Sequence, residues 1–503
     1  MDVLNHLALG FGVAFAPINL IYALAGCVLG TLVGVLPGAG AVATMAMLLP
    51  ATTALAPVSA LLLLAGIYCG APYGRAIAAM GARPAEGYPA AAAGISGYPL
   101  ARLGGAGQAL TAVALGCFFA GCVGTLVLAA LAPALSRLAL PFGPVEYVSL
   151  LVLGLMGGVV TAPGSLLKAI GMVVLGMLLG LVGRDANTGV VRFAWGVPEL
   201  SDGLGFVALA MGVFGYGEII SKLGQAPQQR EVFAAKLQGL WPRAQDLEDM
   251  APAVLGGTVW GSLLGALPGG GALLASRAPD AVDKKSLTNP DGVPSGKAYA
   301  RALATPGSAH SAGVQTAFLP LLALGIPSNA VMAMLLGVML LHKVQPGPQL
   351  IDGDPGLFWG LIASLFAGNL MLVVLNLTLR GVWLKLLRVP YRWLYPAIVL
   401  LCAIGIYSTR HSSLDVWLVA AFGLGGYGFN KLGMEPAPLL LGFVLGPRVE
   451  DKLRAALQLS HGEWSVFVMR PLSAGLLLAS VVLVFLVLTP AFNARRAQAF
   501  AEE

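Results

Sequence analysis

Two stretches of the sequence carry a proline and several glycines among apolar residues, where a helix is expected to continue. They read GTLVGVLPGAGAVA from Gly30 and GSLLGALPGGGALL from Gly261. A helix that starts at such a break has backbone N–H groups without partners in its first turn, and its dipole places partial positive charge there. That end favours an anion such as a carboxylate, and glycine lets the ligand approach the backbone closely. A helix end that points the other way presents carbonyl oxygens that suit a sodium ion.

The two breaks are related to each other. Aligned 231 residues apart, the two stretches share eight identical residues, which favours an internal duplication over chance. A single break is equally consistent with a flexible helix kink, but paired Gly/Pro-interrupted segments in two halves are the best sequence pointer to a transporter's binding site. We therefore predict a substrate site formed by both breaks. Its residues are Pro37, Gly38 and Gly40 from the first break, and Pro268, Gly269, Gly270 and Gly271 from the second.

Membrane-spanning helices are the elements that must position these breaks. Hydrophobic residues make up 57% of the 503 residues and charged residues only 10%, against about 25% charged residues in an ordinary soluble domain. Apolar runs of about 20 residues, the length needed to cross a bilayer, recur along the whole chain. We expect an all-α, polytopic integral membrane protein with roughly ten to fourteen membrane segments, some of them re-entrant or broken half-helices.

A polar stretch divides the chain almost in half. It contains the clearest shift in composition, SKLGQAPQQREVFAAKLQGLWPRAQDLED. We predict a first transmembrane repeat over residues 1–220, a polar linker over 221–250 and a second repeat over 251–503, with the two related halves inverted relative to each other. The Lys and Arg residues lie in such polar connections, as in cytoplasmic loops, instead of forming one basic face, so nucleic-acid binding is not expected.

Five polar residues add candidate chemistry, each with a simpler structural alternative. Arg75 could clamp a carboxylate or reach out to the membrane interface. His310 could donate to an anion, titrate during proton coupling or lie in a loop. Thr44 and Ser276 could offer hydroxyls to a coupling ion or bond to their own backbone. Asp415, beside the hydroxyls of YSTRHSSLD, could line an ion path or lie at the water interface.

An enzyme is not expected. The sequence has no HExxH pair, no spaced set of Ser, His and Asp in one region, and no GxxxxGK[ST] loop for direct use of ATP. The five cysteines lie in apolar surroundings and predict packing residues, so no metal or cofactor is expected beyond Na⁺ or H⁺ as a coupling ion. Trp359, near the start of an apolar run, is expected to anchor at the membrane interface. An anion channel and a non-transporting membrane scaffold remain alternatives to a carrier.

Longer stretches in both halves carry a family resemblance. They are GTLVGVLPGAGAVATMAMLLPAT, LLLLAGIYCGAPYGRAI and SGYPLARLGGAGQAL, then GSLLGALPGGGALLAS, LPLLALGIPSNAVMAMLLG and LGPRVEDKLRAAL. Together they resemble the large membrane subunit of tripartite tricarboxylate transporters, the TctA family. The resemblance implies a cation-coupled secondary transporter in the bacterial inner membrane that takes up a tricarboxylate or a related organic anion. It also implies two partners, a small TctB-like membrane subunit and a periplasmic TctC-like solute-binding protein.

The resemblance marks further residues of the substrate site. They are Tyr68, Tyr73 and Gly74 in YCGAPYG, and Gly325, Pro327, Ser328 and Asn329 in LGIPSN. The sequence departs from the family at Arg75 and Ala76, where a glycine and a serine are usual. It departs again at Thr305 to Ala312, TPGSAHSA, where the family usually has an acidic residue and an amide pair.

Overall fold

A computed structural model describes most of the chain. The described residues are 2–36, 40–81, 106–162, 164–185, 187–223, 244–267, 296–379, 381–383 and 391–488. Within these ranges helices form nearly all of the regular structure, and the sheet is a hairpin of two two-residue strands. The predicted all-α architecture is therefore confirmed.

The elements before the polar linker are mainly helices. In chain order they are α1 (Asp2–Ala14), α2 (Pro17–Val35), α3 (Ala41–Thr52), α4 (Pro57–Gly81), α5 (Ala106–Ala139), α6 (Pro144–Thr161), α7 (Leu166–Gly180), β1 (Gly183–Arg184), β2 (Val191–Arg192), a 3₁₀ turn (Pro198–Asp202), α8 (Phe206–Ala210), a π-helical segment (Met211–Tyr216) and α9 (Gly217–Leu223).

The elements after the polar linker are again helical. They are α10 (Ala244–Gly265), α11 (Gly296–Thr316), α12 (Phe318–Leu324), α13 (Ala330–Leu341), α14 (Leu350–Gly353), α15 (Pro355–Thr378), α16 (Tyr391–Arg410), α17 (Ser413–Lys431), α18 (Ala437–Leu459), α19 (Val466–Met469) and α20 (Pro471–Leu488).

The lengths of these helices fit a membrane protein with broken segments. Five stretches of the described chain are long and apolar enough to cross a bilayer, namely Pro17–Val35, Pro57–Ala78, Val113–Ala139, Phe206–Leu223 and Pro355–Thr378. By contrast, α3 and α13 have 12 residues each, which is about 18 Å of helix and less than the roughly 30 Å hydrocarbon core. The chain is a multi-pass membrane protein that also contains helices too short to span.

Helices α2 and α4 pack at backbone-to-backbone distance through rows of glycine. A Cβ added to Gly30 would lie 2.8 Å from Ile67 Cα, and one added to Gly34 would lie 2.9 Å from Gly74 Cα. Small residues at such spacings let membrane helices approach closely. Because the later glycine of α2 meets the later residue of α4, the two helices run parallel, and the chain between them, which contains α3, must run back along them.

Helices α10 and α11 repeat this arrangement in the second half. A Cβ added to Gly261 would lie 2.8 Å from Ala309 Cα, and one added to Gly265 would lie 2.5 Å from Gly313 Cα, so these helices also run parallel. The contact glycines of α10 follow those of α2 by the same 231 residues that relate the two breaks.

The α2–α4 pair and the α10–α11 pair contact each other with their helices running in opposite directions. On α4, Cys69 contacts Gln315 of α11 at 3.6 Å, whereas Arg75, further along α4, contacts the earlier His310 at 3.3 Å. Helices α4 and α11 therefore run antiparallel. The α2–α4 pair is consequently antiparallel to the α10–α11 pair.

A π-helical segment supports α3 from outside these pairs. In this segment a Cβ added to Gly215 would lie 3.2 Å from the Met47 side chain of α3, and one added to Gly212 would lie 2.7 Å from Val419 O of α17. The segment belongs to the spanning stretch Phe206–Leu223. Single π turns inside helices occur frequently at functional sites.

The hairpin between α7 and α8 is held on the C-terminal half of α18 by charge. Asp185 pairs with Arg454 at 2.8 Å and with Arg192 at 3.0 Å, and both arginines also bind Glu450, at 2.6 and 2.9 Å. The hydrogen bond from Thr188 and the guanidinium of Arg454 hold the pKa of Asp185 well below its usual range.

Two predictions about individual side chains have opposite outcomes. Cys27, Cys69, Cys117 and Cys402 are buried and free, as expected for packing residues. The prediction of an interface anchor at Trp359 is wrong, because this side chain is only 1% exposed and stacks on His6 of α1. Trp359 lies near the start of α15, a position typical of interface residues, but α1 covers that end of α15.

Candidate functional site

The first break lies between the end of α2 and the start of α3. Helix α2 ends at Val35 and α3 begins at Ala41 after Gly40 in an extended conformation. Pro37 and Gly38 lie outside the described residues, as do Pro268, Gly269, Gly270, Gly271 and Ser276. The position of each break is therefore read from the helix ends beside it, at Val35 and at Gly265.

The LGIPSN motif forms a third break, which is described completely. Helix α12 ends at Leu324 and is capped by Gly325, whose φ of +74° is a left-handed conformation that favours glycine. After Pro327 the chain turns, and the Asn329 side chain caps α13 by accepting a hydrogen bond from Met332 N at 2.9 Å. Ser328 is buried and donates to Ala317 O at 3.1 Å. These contacts fix a half-helix start inside the protein.

The start of α13 touches α4 of the other half. Asn329 Nδ2 donates to the Tyr68 hydroxyl oxygen at 3.1 Å. Both residues were predicted for the substrate site, and they come from motifs 261 residues apart. The N-terminus of α13, which carries partial positive charge, therefore lies next to Tyr68.

Arg75 and His310 form a second contact between the halves. Their Nη2 and Nε2 atoms are 3.3 Å apart. Between Pro57 and Ala78, where α4 is the most buried of the candidate spans, Arg75 is the one exposed residue. His310 is half-buried within α11, so it does not lie in a loop. The contact therefore joins two stretches, at Arg75 and within Thr305 to Ala312, in which the sequence departs from the family pattern.

Tyr68 and Arg75 lie on the same face of α4. They are seven residues apart, which is two helical turns or about 10 Å along the axis. Each of them is met by a residue of the second half, Asn329 at one end and His310 at the other. We call this four-residue arrangement the α4 stripe. It places a guanidinium, an imidazole, a phenol and an amide along one face of α4.

Both paired breaks begin close to the α4 stripe. A Cβ added to Gly74, next to Arg75, would lie 2.7 Å from Val35 N at the end of α2. In the second half, Ala309, next to His310, packs against Gly261, one turn before the end of α10. The helix ends that lead into the two breaks therefore flank the same arginine–histidine pair.

The half-helices α3 and α13 run side by side. Their C-terminal ends meet, because His342 Nε2 lies 3.1 Å from Thr52 O. Helix α3 returns towards the start of α2, since Ser59 beyond it binds Asn19 at 2.7 Å. Helix α13 runs from Tyr68 towards the same end. Because both helices have 12 residues, their N-termini lie at a similar depth.

The remaining candidates are placed around this centre. The Tyr73 hydroxyl is buried and has no hydrogen-bond partner among the described residues. Gly74 serves the close packing of α2 on α4. Thr44 donates to Gly40 O of its own helix at 3.1 Å. Asp415 is buried in the first turn of α17, which packs mainly on the π-helical segment and not on α4.

Sequence reasoning missed two buried polar groups next to the stripe. Gln315 Nε2 on α11 donates to Asn369 Oδ1 on α15 at 3.1 Å, and both side chains are at most 2% exposed. Away from the stripe, the half-buried Glu218 of α9, which the sequence already marks as an ionisable residue at the border of an apolar run, pairs with Lys222 and places its carboxylate 3.8 Å from a Cβ added to Gly40. An amide inside an apolar span such as LFAGNLML was the available signal for Asn369, because polar groups at membrane depth are rare without a role.

These features define a multi-pass membrane transporter component, with broken helices that converge on a cationic and polar centre between two helix pairs. The Tripartite tricarboxylate transporter TctA family matches residues 20–441. The chain belongs to this family, which is one of transporter components and not of enzymes.

Two relatives from Agrobacterium vitis are similar to the chain. The "Uncharacterized 52.8 kDa protein in TAR-I ttuC' 3'region" is 47% identical over 504 residues, covering 100% of both chains. The "Uncharacterized protein in TAR-II ttuC' 3'region" is 48% identical over 243 residues, covering 48% of this chain and 100% of the relative. No solved structure matches the chain.

Proposed function

We propose that the chain is the permease subunit of a carboxylate uptake system and that it holds the organic anion along the α4 stripe. The observation that carries this proposal is the Arg75–His310 contact, flanked by the ends of the two helices that lead into the paired breaks. An arginine within a membrane-spanning helix is rare and marks a candidate functional site. In this proposal its guanidinium binds a substrate carboxylate in a bidentate geometry.

The half-helix α13 supplies the second part of the anion site. Its capped N-terminus faces Tyr68, two turns of α4 away from Arg75. A dicarboxylate or tricarboxylate can place one carboxylate at the guanidinium and another near this helix end, since both ends of the stripe favour negative charge. The predicted glycines of the two paired breaks complete the site in this proposal.

Alternating access follows if the two halves are inverted repeats. The antiparallel relation of the α2–α4 and α10–α11 pairs, with contact glycines 231 residues apart, supports this arrangement. In inverted-repeat carriers the substrate lies at the interface between the repeats and is exposed to each side in turn. We place the chain in the bacterial inner membrane, with a TctB-like subunit and a TctC-like solute-binding protein as partners and a cation gradient as the energy source.

Uptake into vesicles tests this proposal. The full chain is reconstituted with the small membrane subunit, and radiolabelled citrate is offered with and without the purified solute-binding protein. A carrier gives saturable uptake that requires the binding protein and is strongly reduced in R75Q. Conduction of citrate without the binding protein would indicate an anion channel, and no flux under any condition would indicate a scaffold.

A matched control variant distinguishes an effect at the α4 stripe from a general effect of losing an arginine. Arg184 is the exposed residue of strand β1 in the hairpin, so R184Q removes an arginine from the same chain without touching the stripe. Equal uptake by R75Q and the wild type would contradict the proposed site.

A further inference from the structure

Arg448 is the first charged residue of α18 after a buried apolar stretch. In α18 the side chains from Pro438 to Gly446 are buried, and Arg448 is half-buried. Its guanidinium makes one hydrogen bond to the described residues, from Nη1 to Gly325 O at 3.5 Å, and it forms no ion pair with them. A guanidinium carries five N–H donors, so most of the donors of Arg448 are not used by the described part of the chain.

The hydrogen bond to Gly325 O is too long to hold this arginine firmly. N–H···O hydrogen bonds in proteins usually measure about 2.7–3.2 Å, whereas this one measures 3.5 Å. Glu450, two residues after Arg448, is already bound to Arg192 and Arg454. Arg448 is therefore a half-buried cation that is not paired with a carboxylate of the described residues.

Arg448 contacts the LGIPSN break at one end of the α4 stripe. Asn329, which lies against Tyr68, follows Gly325 by four residues, so these two residues are at most about 14 Å apart. Gly325 also packs against the connection after α13, because a Cβ added to it would lie 2.7 Å from Pro346 O. The guanidinium therefore lies where the connection after α13 meets the break that leads into the stripe.

The end of α13 lies on the side of the protein opposite the polar linker. Helices α3 and α13 end together. Gly40 at the start of α3 faces Glu218 of α9, whereas Met47, nearer the end of α3, packs on Gly215, which precedes α9. Helix α9 therefore runs antiparallel to α3, and the linker begins at the other side. The linker contains four Lys or Arg residues, which are typical of cytoplasmic connections, so we expect Arg448 on the extracytoplasmic side.

We infer that Arg448 forms an outer anion site, which holds a substrate carboxylate on the extracytoplasmic side before the anion reaches the α4 stripe. This inference rests on the proposed function for the identity of the anion. The planar fork of a guanidinium binds a carboxylate in a bidentate geometry, and the fork of Arg448 is engaged by a single long contact. A cation at an entrance also raises the local concentration of anions and their rate of entry.

Chemical modification tests the outer anion site residue by residue. The full chain in lipid nanodiscs is treated with phenylglyoxal, which reacts with accessible guanidinium groups, and mass spectrometry gives the rate at Arg448, Arg75 and Arg184. Citrate at about ten times its dissociation constant should slow the reaction of Arg448 about tenfold in the wild type and in R75Q, because only the unoccupied site reacts. The exposed Arg184 is the internal control and should react at an unchanged rate. A rate at Arg448 that citrate does not change, or no reaction there at all, would overturn the inference.

Calorimetry with citrate in the R75Q background gives a second test. R75Q should keep weak binding, and R75Q/R448Q should bind about tenfold more weakly still, the usual loss for a hydrogen bond to a charged group. R75Q/R184Q is the matched control and should bind like R75Q. The melting temperature of R448Q should stay near that of the wild type, since the bond to Gly325 O is long. A lower melting temperature with unchanged citrate affinity would show that Arg448 only caps α12, against the inference.

The outcomes distinguish the outer anion site from the proposed function. Protection of Arg75 but not of Arg448 by citrate overturns the outer site and leaves the carboxylate function intact. Protection of Arg448 but not of Arg75 supports the outer site and counts against the stripe as the place where the carboxylate is held. If citrate protects neither arginine and gives no heat of binding, both the outer site and the carboxylate function are wrong.

Discussion

Asn329 performs two tasks at once: it caps α13 through Met332 N and donates to the Tyr68 hydroxyl of the other half at 3.1 Å. The start of a half-helix and the most buried span of the first half are thereby fixed relative to each other. A polar contact inside an apolar assembly specifies one relative position of two helices, because either group alone would be left unsatisfied.

Substitutions at Asn329 and Tyr68 should show how much their contact stabilises the protein. N329A removes both the cap, worth about 1 kcal/mol, and the bond to Tyr68, worth about 0.5–1.5 kcal/mol. Y68F removes only the bond, so a double-mutant cycle on thermal unfolding should give a coupling of about 0.5–1.5 kcal/mol. Additive effects of the two substitutions would show that the bond does not contribute.

N329D should behave differently from N329A. The aspartate keeps the cap on α13 and can accept from the Tyr68 hydroxyl, so the melting temperature should remain near that of the wild type. Its negative charge at one end of the α4 stripe should nevertheless weaken citrate binding, because it repels the anion and neutralises the helix end. Binding equal to that of the wild type would place the anion elsewhere.

Adjacent glycines on α10 should respond to alanine with opposite signs. Gly256 has no atom within 4 Å of an added Cβ, whereas one added to Gly257 would lie 2.5 Å from Thr305 O. We expect G256A to stabilise the protein by up to about 1 kcal/mol through helix propensity. G257A should destabilise it by about 1–3 kcal/mol or more, because α11 must move away. Thermal unfolding in detergent measures both, and equal shifts would contradict the close packing of α10 on α11.

Arg75 should contribute to anion affinity through both its charge and its planar shape. R75Q should weaken citrate binding by about 10- to 100-fold, the usual range for losing a hydrogen bond to a charged group. R75K should fall between R75Q and the wild type, since lysine keeps the charge but loses the bidentate fork. Calorimetry on the three proteins gives the order of their citrate affinities. An affinity of R75K equal to that of the wild type would show that only the charge of Arg75 contributes.

The hairpin should lose its anchoring to α18 in acid. The pKa of Asp185 is lowered by the Thr188 hydrogen bond and by Arg454, so the unfolded chain binds the proton more readily than the folded one. The stabilisation is therefore complete above about pH 4, the ordinary range of an aspartate, and is lost as the pH falls further.

A substitution at Asp185 checks this pH dependence. D185N should lower the melting temperature at pH 7, and its difference from the wild type should shrink towards pH 3. D202N is the control, because Asp202 is an exposed aspartate on the neighbouring 3₁₀ turn. A difference that grew in acid would contradict the assigned sign.

The sequence by itself determined the membrane class, the helical architecture and the family, because these depend on composition, on the length of apolar runs and on motifs that lie within single segments. It also marked Tyr68, Arg75, His310 and Asn329 individually. Their partnership was not readable, because Arg75 and His310 are 235 residues apart and no local periodicity relates them. Only the antiparallel meeting of α4 and α11, set by close glycine packing within each helix pair, brings these side chains together. The same packing buries Gln315 and Asn369. Trp359, expected at the membrane interface, is buried because α1 covers that end of α15, and burial depends on which helix covers a given face.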